Sequence, residues 1–196
     1  GSIGCAAADR IIDAAHRATT EGIPLLATTA SGGTRMQEGT PAFVKMSEIA
    51  RAVMAHRVAG FAYLVYLRHP TTGGVFASWG SLGQMTIAEP GALVGFLGPK
   101  VYEMLNGKPF PPGIQTAENL REHGMVDAVA TPTELPSMVG QALAVLYDPP
   151  GAGTRERRPQ PTTRSRSSWE SITLTRSARR GSVRDVLRHG SDATLR

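Results

Sequence analysis

Two hydrophobic rhythms alternate along the chain. Residues 6–20 place Ala8, Ile11, Ile12, Ala15 and Ala18 near a helical spacing, and Gly22 with Pro24 beyond it supplies stop chemistry. A short apolar run over residues 23–28, bounded by small turn residues, reads as a buried strand. Thr40-Pro41 opens a second helical pattern, with proline at the first helical position. It predicts a helix to about Val58 that buries Phe43, Val44, Met46, Ile49, Ala50, Val53 and Met54, stopped by Gly60. Residues 61–67 are a continuous apolar run rich in β-forming types. Residues 75–82 look helical, and residues 85–88 and 92–96 read as short strands about the Glu89-Pro90-Gly91 turn. A short helix is expected from Gly98-Pro99-Lys100, another over 117–123, a strand over 125–130 and a last helix over 132–146. Helix and strand in this order predict right-handed βαβ units in an α/β layer fold.

Composition changes the picture at one place. Residues 149–168 are Pro, Gly, Ser, Thr and Arg without apolar period, which reads as a disordered linker. The formal charge of +5 divides there: residues 1–148 carry 10 Lys+Arg against 12 Asp+Glu, residues 149–196 carry 11 Arg against 4 acids. The basicity belongs to the tail, so the high pI is no sign that the folded part binds nucleic acid. No run of about 18 or more apolar residues appears, and a membrane span or signal peptide is not expected. The single cysteine, Cys5, excludes an internal disulfide and a multi-cysteine metal site and fits a reducing cytoplasm. It reads as a small packed side chain, and His16 and His56 as helix surface or packing residues.

The candidate chemistry lies at two corners. Residues 25–29 lead into Ala30-Ser31-Gly32-Gly33, where the chain is expected to leave a strand and enter a helix. Residues 61–67 lead into His69-Pro70-Thr71-Thr72-Gly73-Gly74-Val75, the same strand, turn and glycine pair. Glycine permits φ > 0 and lets another molecule approach the backbone. Two such corners on neighbouring parallel strands aim N–H groups at one oxygen, a two-donor oxyanion hole built without side chains. By itself Gly-Gly is a weak signal, more often an ordinary tight turn than a site.

Five motifs, in order, resemble a known family. Ala30-Ser31-Gly32-Gly33-Thr34-Arg35-Met36-Gln37-Glu38-Gly39 is similar to the signature of biotin-dependent acyl-CoA carboxyltransferases, of the β-subunit type of bacterial acetyl-CoA carboxylase. Pro70-Thr71-Thr72-Gly73-Gly74-Val75, Ile87-Ala88-Glu89-Pro90, Gly95-Phe96-Leu97-Gly98-Pro99-Lys100 and Pro111-Pro112-Gly113-Ile114-Gln115 continue it over about residues 1–146. The resemblance implies a crotonase-like (ClpP/crotonase) α/β fold, here a partial, N-terminally incomplete domain over residues 1–148. Trp169-Glu170-Ser171-Ile172 is similar to the opening of the α-type half, so residues 169–196 read as its start in a β–α fusion.

The implied reaction moves a carboxyl group from carboxybiotin to the α-carbon of an acyl-CoA, giving malonyl-CoA from acetyl-CoA for fatty-acid synthesis. The expected catalytic groups are the amides around Gly32, Gly33, Gly73 and Gly74, with Gly33 and Gly74 most central. Ser31, Thr34, Arg35, Thr72, Val75 and Lys100 are expected to meet the substrate, Lys100 at a CoA phosphate. Released biotin is implied as proton acceptor, which fits the absence of an obvious His, Asp or Cys base. Arg35 and Glu38 read equally as an ion pair that braces the first loop or as catalytic groups, and Glu89 is expected to serve the second corner structurally or at the substrate. His69 stands where many relatives have Asp. Implied partners are the α half, a biotin carboxyl carrier protein and a biotin carboxylase, in an oligomer, with no metal in this chain. Two other readings stay open: a hydratase, isomerase or decarboxylase on the same fold, which needs Glu38 or Glu89 facing the pocket, and a truncated non-catalytic subunit.

Overall fold

The computed structural model describes residues 1–147; the linker expected over 149–168 and the α-type start over 169–196 lie outside the described residues. Helix α1 spans Cys5–Glu21, strand β1 Leu25–Thr29, helix α2 Thr40–Val58 and strand β2 Tyr63–Leu67. Short strands β3 (Thr71–Thr72), β4 (Met85–Ala88) and β5 (Val94–Gly95) follow. Helices α3 (Pro99–Asn106) and α4 (Ala117–Glu122), strand β6 (Ala128–Val129) and helix α5 (Leu135–Tyr147) complete the order. The main sheet is parallel throughout in the order β1-β2-β4-β6, and β3 pairs in parallel with β5 beside it. In register, Thr29 stands opposite Leu67, and Leu67 opposite Ala88. Three strands therefore end along one line, where both glycine corners begin.

Every residue of β2 is buried, which is why that stretch reads as an unbroken apolar run. Its two tyrosines are tolerated there because each hydroxyl donates: Tyr63 to the Trp79 carbonyl and Tyr66 to the Ala130 carbonyl, both at 3.0 Å. On one side Val65 and Leu67 pack with Met46, Ile49 and Val53 of α2, with Val75 and Phe76; Tyr66 and Ile87 pack elsewhere with Ala130. Helix α1 buries Ala8, Ala15 and Ala18, as its spacing predicts.

Several expectations need correction. Helix α2 buries Ala42, Met46, Ile49, Ala52, Val53 and His56, while Phe43, Val44 and Met54 are exposed. One stripe of a helix meets the core; Phe43 and Met54 fall on its flank and Val44 on its back. No helix starts at Gly33: the chain makes a single 3₁₀ turn at Met36–Glu38, and α2 begins only at Thr40. Residues 75–82 are turns ending in a 3₁₀ turn at Trp79–Ser81: the Val75 carbonyl takes the Ser78 amide three residues on and the Gly80 amide five residues on, so the four-residue spacing of an α-helix is not kept. The strands expected over 92–96 and 125–130 shorten to Val94–Gly95 and Ala128–Val129, and α5 starts at Leu135, with Pro136 in its first turn.

His56 is a packing residue. It is fully buried, its Nε2 is 3.2 Å from the Ala62 carbonyl, and its Nδ1 is 2.9 Å from the Thr19 hydroxyl on α1. A carbonyl only accepts, so Nε2 carries the proton and the neutral ring joins α1 to the start of β2. Burial holds its pKa below the ordinary histidine value. A depressed folded-state pKa means the unfolded chain binds the extra proton, so stability present above about pH 6.5 is lost as the pH falls below it. Denaturation midpoints are expected to drop between about pH 7.5 and 5.5, and His56→Gln to flatten that slope. An unchanged slope in the variant contradicts this assignment.

Candidate active site

The two corners meet main chain to main chain. Strand β3 is hooked to the first corner by the Thr72 amide, which donates to the Ser31 carbonyl at 2.9 Å. The fully buried Thr71 hydroxyl reaches the Thr29 carbonyl at 2.9 Å and the Arg68 carbonyl at 2.8 Å, with the Thr29 hydroxyl 3.0 Å away. Gly33 has φ +100° and Gly73 φ +59°, the left-handed region that glycine adopts without strain. A Cβ on Gly33 would stand 2.6 Å from the Gly74 nitrogen, and one on Gly73 2.8 Å from the Gly32 carbonyl oxygen. No other residue type fits either place.

The amides divide into committed and open ones. Gly33 donates to the Ser31 hydroxyl at 3.1 Å, and Gly73 to the Gly95 carbonyl at 3.0 Å on β5. The amides of Gly32, Thr34, Gly74 and Val75 find no acceptor among the described residues. Gly32 is exposed, and the Thr34 nitrogen lies 3.5 Å from the point a Cβ on Gly74 would occupy. Open donors from both corners thus lie close to one another beyond the carboxyl ends of the parallel strands. This arrangement suits an oxygen that becomes negative.

The side chains chosen from sequence separate. Ser31 is buried and donates to the Gly1 carbonyl at 2.7 Å, so its hydroxyl shapes the loop. Thr72 is buried, and Val75 is fully enclosed in the core, so neither side chain is open to a substrate. The Thr34 hydroxyl stands 3.0 Å from the Gly74 Cβ position, beside the open amides. Arg35 is exposed and 3.7 Å from Glu38, a long, weak ion pair. Lys100 is exposed in the first turn of α3 and pairs with no acid among the described residues.

Neither glutamate faces the open amides with a free carboxylate. Glu89 takes Arg68 at 3.3 Å and the His69 amide at 3.4 Å, and Arg68 holds its pKa below the usual carboxylate value. Glu38 accepts the Cys5 amide at 2.6 Å, which lowers its pKa likewise. His69 accepts the Leu93 amide at Nδ1, 3.1 Å away, and so ties the second corner to the approach of β5. An aspartate can accept the same N–H, which accounts for histidine serving at this position. Sequence reasoning passed over Thr71 and the segment before α1; a threonine just before each glycine corner, Thr29 at the end of β1 and Thr71 at the start of β3, was the available signal for the first. No group of three metal-ligating side chains occurs among the described residues, and no helix there is long and apolar enough to cross a membrane.

A parallel α/β layer with paired glycine corners at its strand ends is the crotonase-like class. The transcarboxylase 12S structure matches it with a TM-score of 0.61 at 20% identity, over 73% of this chain and 28% of that one. The chain belongs to the carboxyl transferase domain family, which matches residues 1–178. Over 97% of its length it is 57% identical to the "Probable biotin-dependent acyl-coenzyme A carboxylase beta3 subunit" of Mycobacterium tuberculosis. Over 74% it is 47% identical to the acetyl-coenzyme A carboxylase carboxyl transferase subunit beta of Caulobacter sp.. It spans 38% of the first relative and 47% of the second, less than half the length of either.

Proposed function

We propose that this chain forms the acyl-CoA side of the carboxyltransferase of a biotin-dependent acyl-CoA carboxylase. The observation that carries the reading is the junction of the two glycine corners, with open amides from each. A thioester oxygen seated there gains negative charge as the α-proton leaves and the α-carbon becomes nucleophilic. Fixed N–H donors hold that charge more tightly than they hold the neutral carbonyl, which lowers the barrier. Gly74 supplies the central donor of the second corner, and Gly32 and Thr34 those of the first; Gly33 and Gly73 give the corners the shape that lets them touch.

Carboxybiotin, delivered on a carrier protein, supplies the carboxyl group. No contact to biotin is assigned to this chain; that contact belongs to an α-type half. Lys100 serves a CoA phosphate. A biotin carboxylase recharges the carrier, and the assembly works in the cytoplasm. The acyl group is acetyl and the product malonyl-CoA, feeding fatty-acid synthesis, a reading supported by the acetyl-CoA carboxylase relatives. The engagement of Glu38 and Glu89 elsewhere argues against hydratase chemistry, which uses a carboxylate at the pocket.

The test is carboxyl transfer by the full-length protein, assembled with its α-type partner and given a carboxybiotin-loaded carrier. Acetyl-CoA is expected to be converted to malonyl-CoA. A preference of about tenfold or more for a longer acyl-CoA, on the order of 1.4 kcal/mol, overturns the acyl assignment. Absence of transfer to any acyl-CoA overturns the reaction.

A further inference from the structure

We infer that residues 1–5 are a strap that sets the shape of the first glycine corner, with Glu38 as its clasp and a positioning residue. The strap runs parallel to the corner. The Ile3 amide donates to the Gly33 carbonyl at 2.7 Å, and the Arg35 amide donates back to the Ile3 carbonyl at 2.8 Å. The Gly33 carbonyl and the open Thr34 amide share one peptide group, and the Arg35 amide belongs to the next, so Ile3 orients both. A second tie runs through Ser31, whose hydroxyl receives the Gly33 amide and donates to the Gly1 carbonyl.

Glu38 closes the strap from the far end of the loop. Its carboxylate accepts the amide of Cys5, the first residue of α1, at 2.6 Å. Helix α1 has no capping side chain of its own: its N-cap is Gly4, and Glu38, 33 positions away from Cys5, takes that role. The fit is close, because a Cβ on Gly4 would fall 1.9 Å from Glu38 Oε1 and 2.6 Å from its Cδ. Arg35, at 3.7 Å, contributes less than the Cys5 amide. Helix α1 is itself held to α2 by Lys45, which bridges Asp9 at 2.9 Å and Glu48 at 2.7 Å. The loop bearing Gly32 and Thr34 is thus fixed to the helical layer by main chain and one carboxylate. Glu38 thereby acts on the thioester oxygen only through the loop, without touching it.

The catalytic part of this inference rests on the function proposed above; the structural part does not. The experiment therefore uses two readouts on the full-length protein: amide hydrogen exchange over residues 1–5 and 31–39, and carboxyl transfer by the assembled enzyme. Glu38→Ala and Gly4→Ala are expected to speed exchange at Arg35 and Ile3 by about tenfold or more, the loss of a hydrogen bond to a charged acceptor. Glu38→Gln, which keeps an acceptor oxygen for the Cys5 amide, is expected to stay within about threefold of the parent, since a neutral acceptor still pairs the N–H. In transfer, Glu38→Ala is expected to lower kcat by about tenfold to 10²-fold with KM for acyl-CoA little changed, and Glu38→Gln to restore most of it.

Unchanged exchange in Glu38→Ala and Gly4→Ala overturns the strap. If Glu38→Gln is as damaging to transfer as Glu38→Ala while its exchange stays normal, Glu38 acts as an acid or base and the positioning role is wrong. A parent enzyme that transfers no carboxyl group overturns the proposed reaction, and exchange then decides the strap alone.

Discussion

Gly33→Ala is expected to abolish carboxyl transfer in the assembled full-length enzyme, by more than about 10²-fold in kcat/KM. The added methyl would sit 2.6 Å from the Gly74 nitrogen, a distance Cβ atoms do not tolerate, and its obstacle is backbone that cannot swing aside. The residue would also have to hold φ near +100°. For an L-residue a left-handed conformation costs on the order of 1–2 kcal/mol. Both strains are relieved together if the corners part, which separates the open amides. Gly39→Ala is the control: φ there is +63°, yet nothing lies within 4 Å of its Cβ position. Gly39→Ala should lose stability and keep most of its turnover. Equal loss in both variants shows that strain, and not the junction, limits the rate.

Gly74→Val is expected to abolish turnover too, by a different route. The first methyl position is 3.0 Å from the Thr34 hydroxyl and 3.5 Å from Met46 Cγ. The branched carbons must then choose between the buried Met46 and the open side where the thioester is proposed to lie. Overpacking toward Met46 costs about 1–3 kcal/mol. The fold should therefore survive with a lower melting midpoint, while transfer disappears. A folded variant with near-normal rate contradicts the assignment of Gly74 as central donor.

Much of this was legible in the sequence. Residues 61–67 could be placed because a strand buried on both faces has a pattern independent of partners. Both corners were visible because glycine pairs after apolar runs mark a backbone demand. What escaped depends on contacts between distant residues. The apolar Phe43 and Val44 look like core from spacing alone, and only packing shows which stripe meets the sheet. The turns after Gly74 looked helical because Val75, Phe76 and Trp79 are apolar at near-helical intervals; each is buried by the turn closed from Gly80 to Val75. Glu38 was read as half of a local ion pair, since three-residue spacing is visible and a tie to Cys5 is not.

The junction of the corners also decides how such a protein can be disarmed. Nothing in the paired glycines can be alkylated, acylated or oxidised, so reagents that silence enzymes through a reactive serine, cysteine or histidine find no purchase there. Nor do the amides change charge over the working pH range, and an acid limb in the rate profile would report a group that holds the loops, such as Glu38. On the proposed reaction, a small molecule that blocks the site would imitate the flat, anionic outline of an enolate. Resistance to it would be hard to acquire at the corners themselves, where substitution of Gly33 or Gly73 is expected to remove the proposed activity along with the inhibitor's seat.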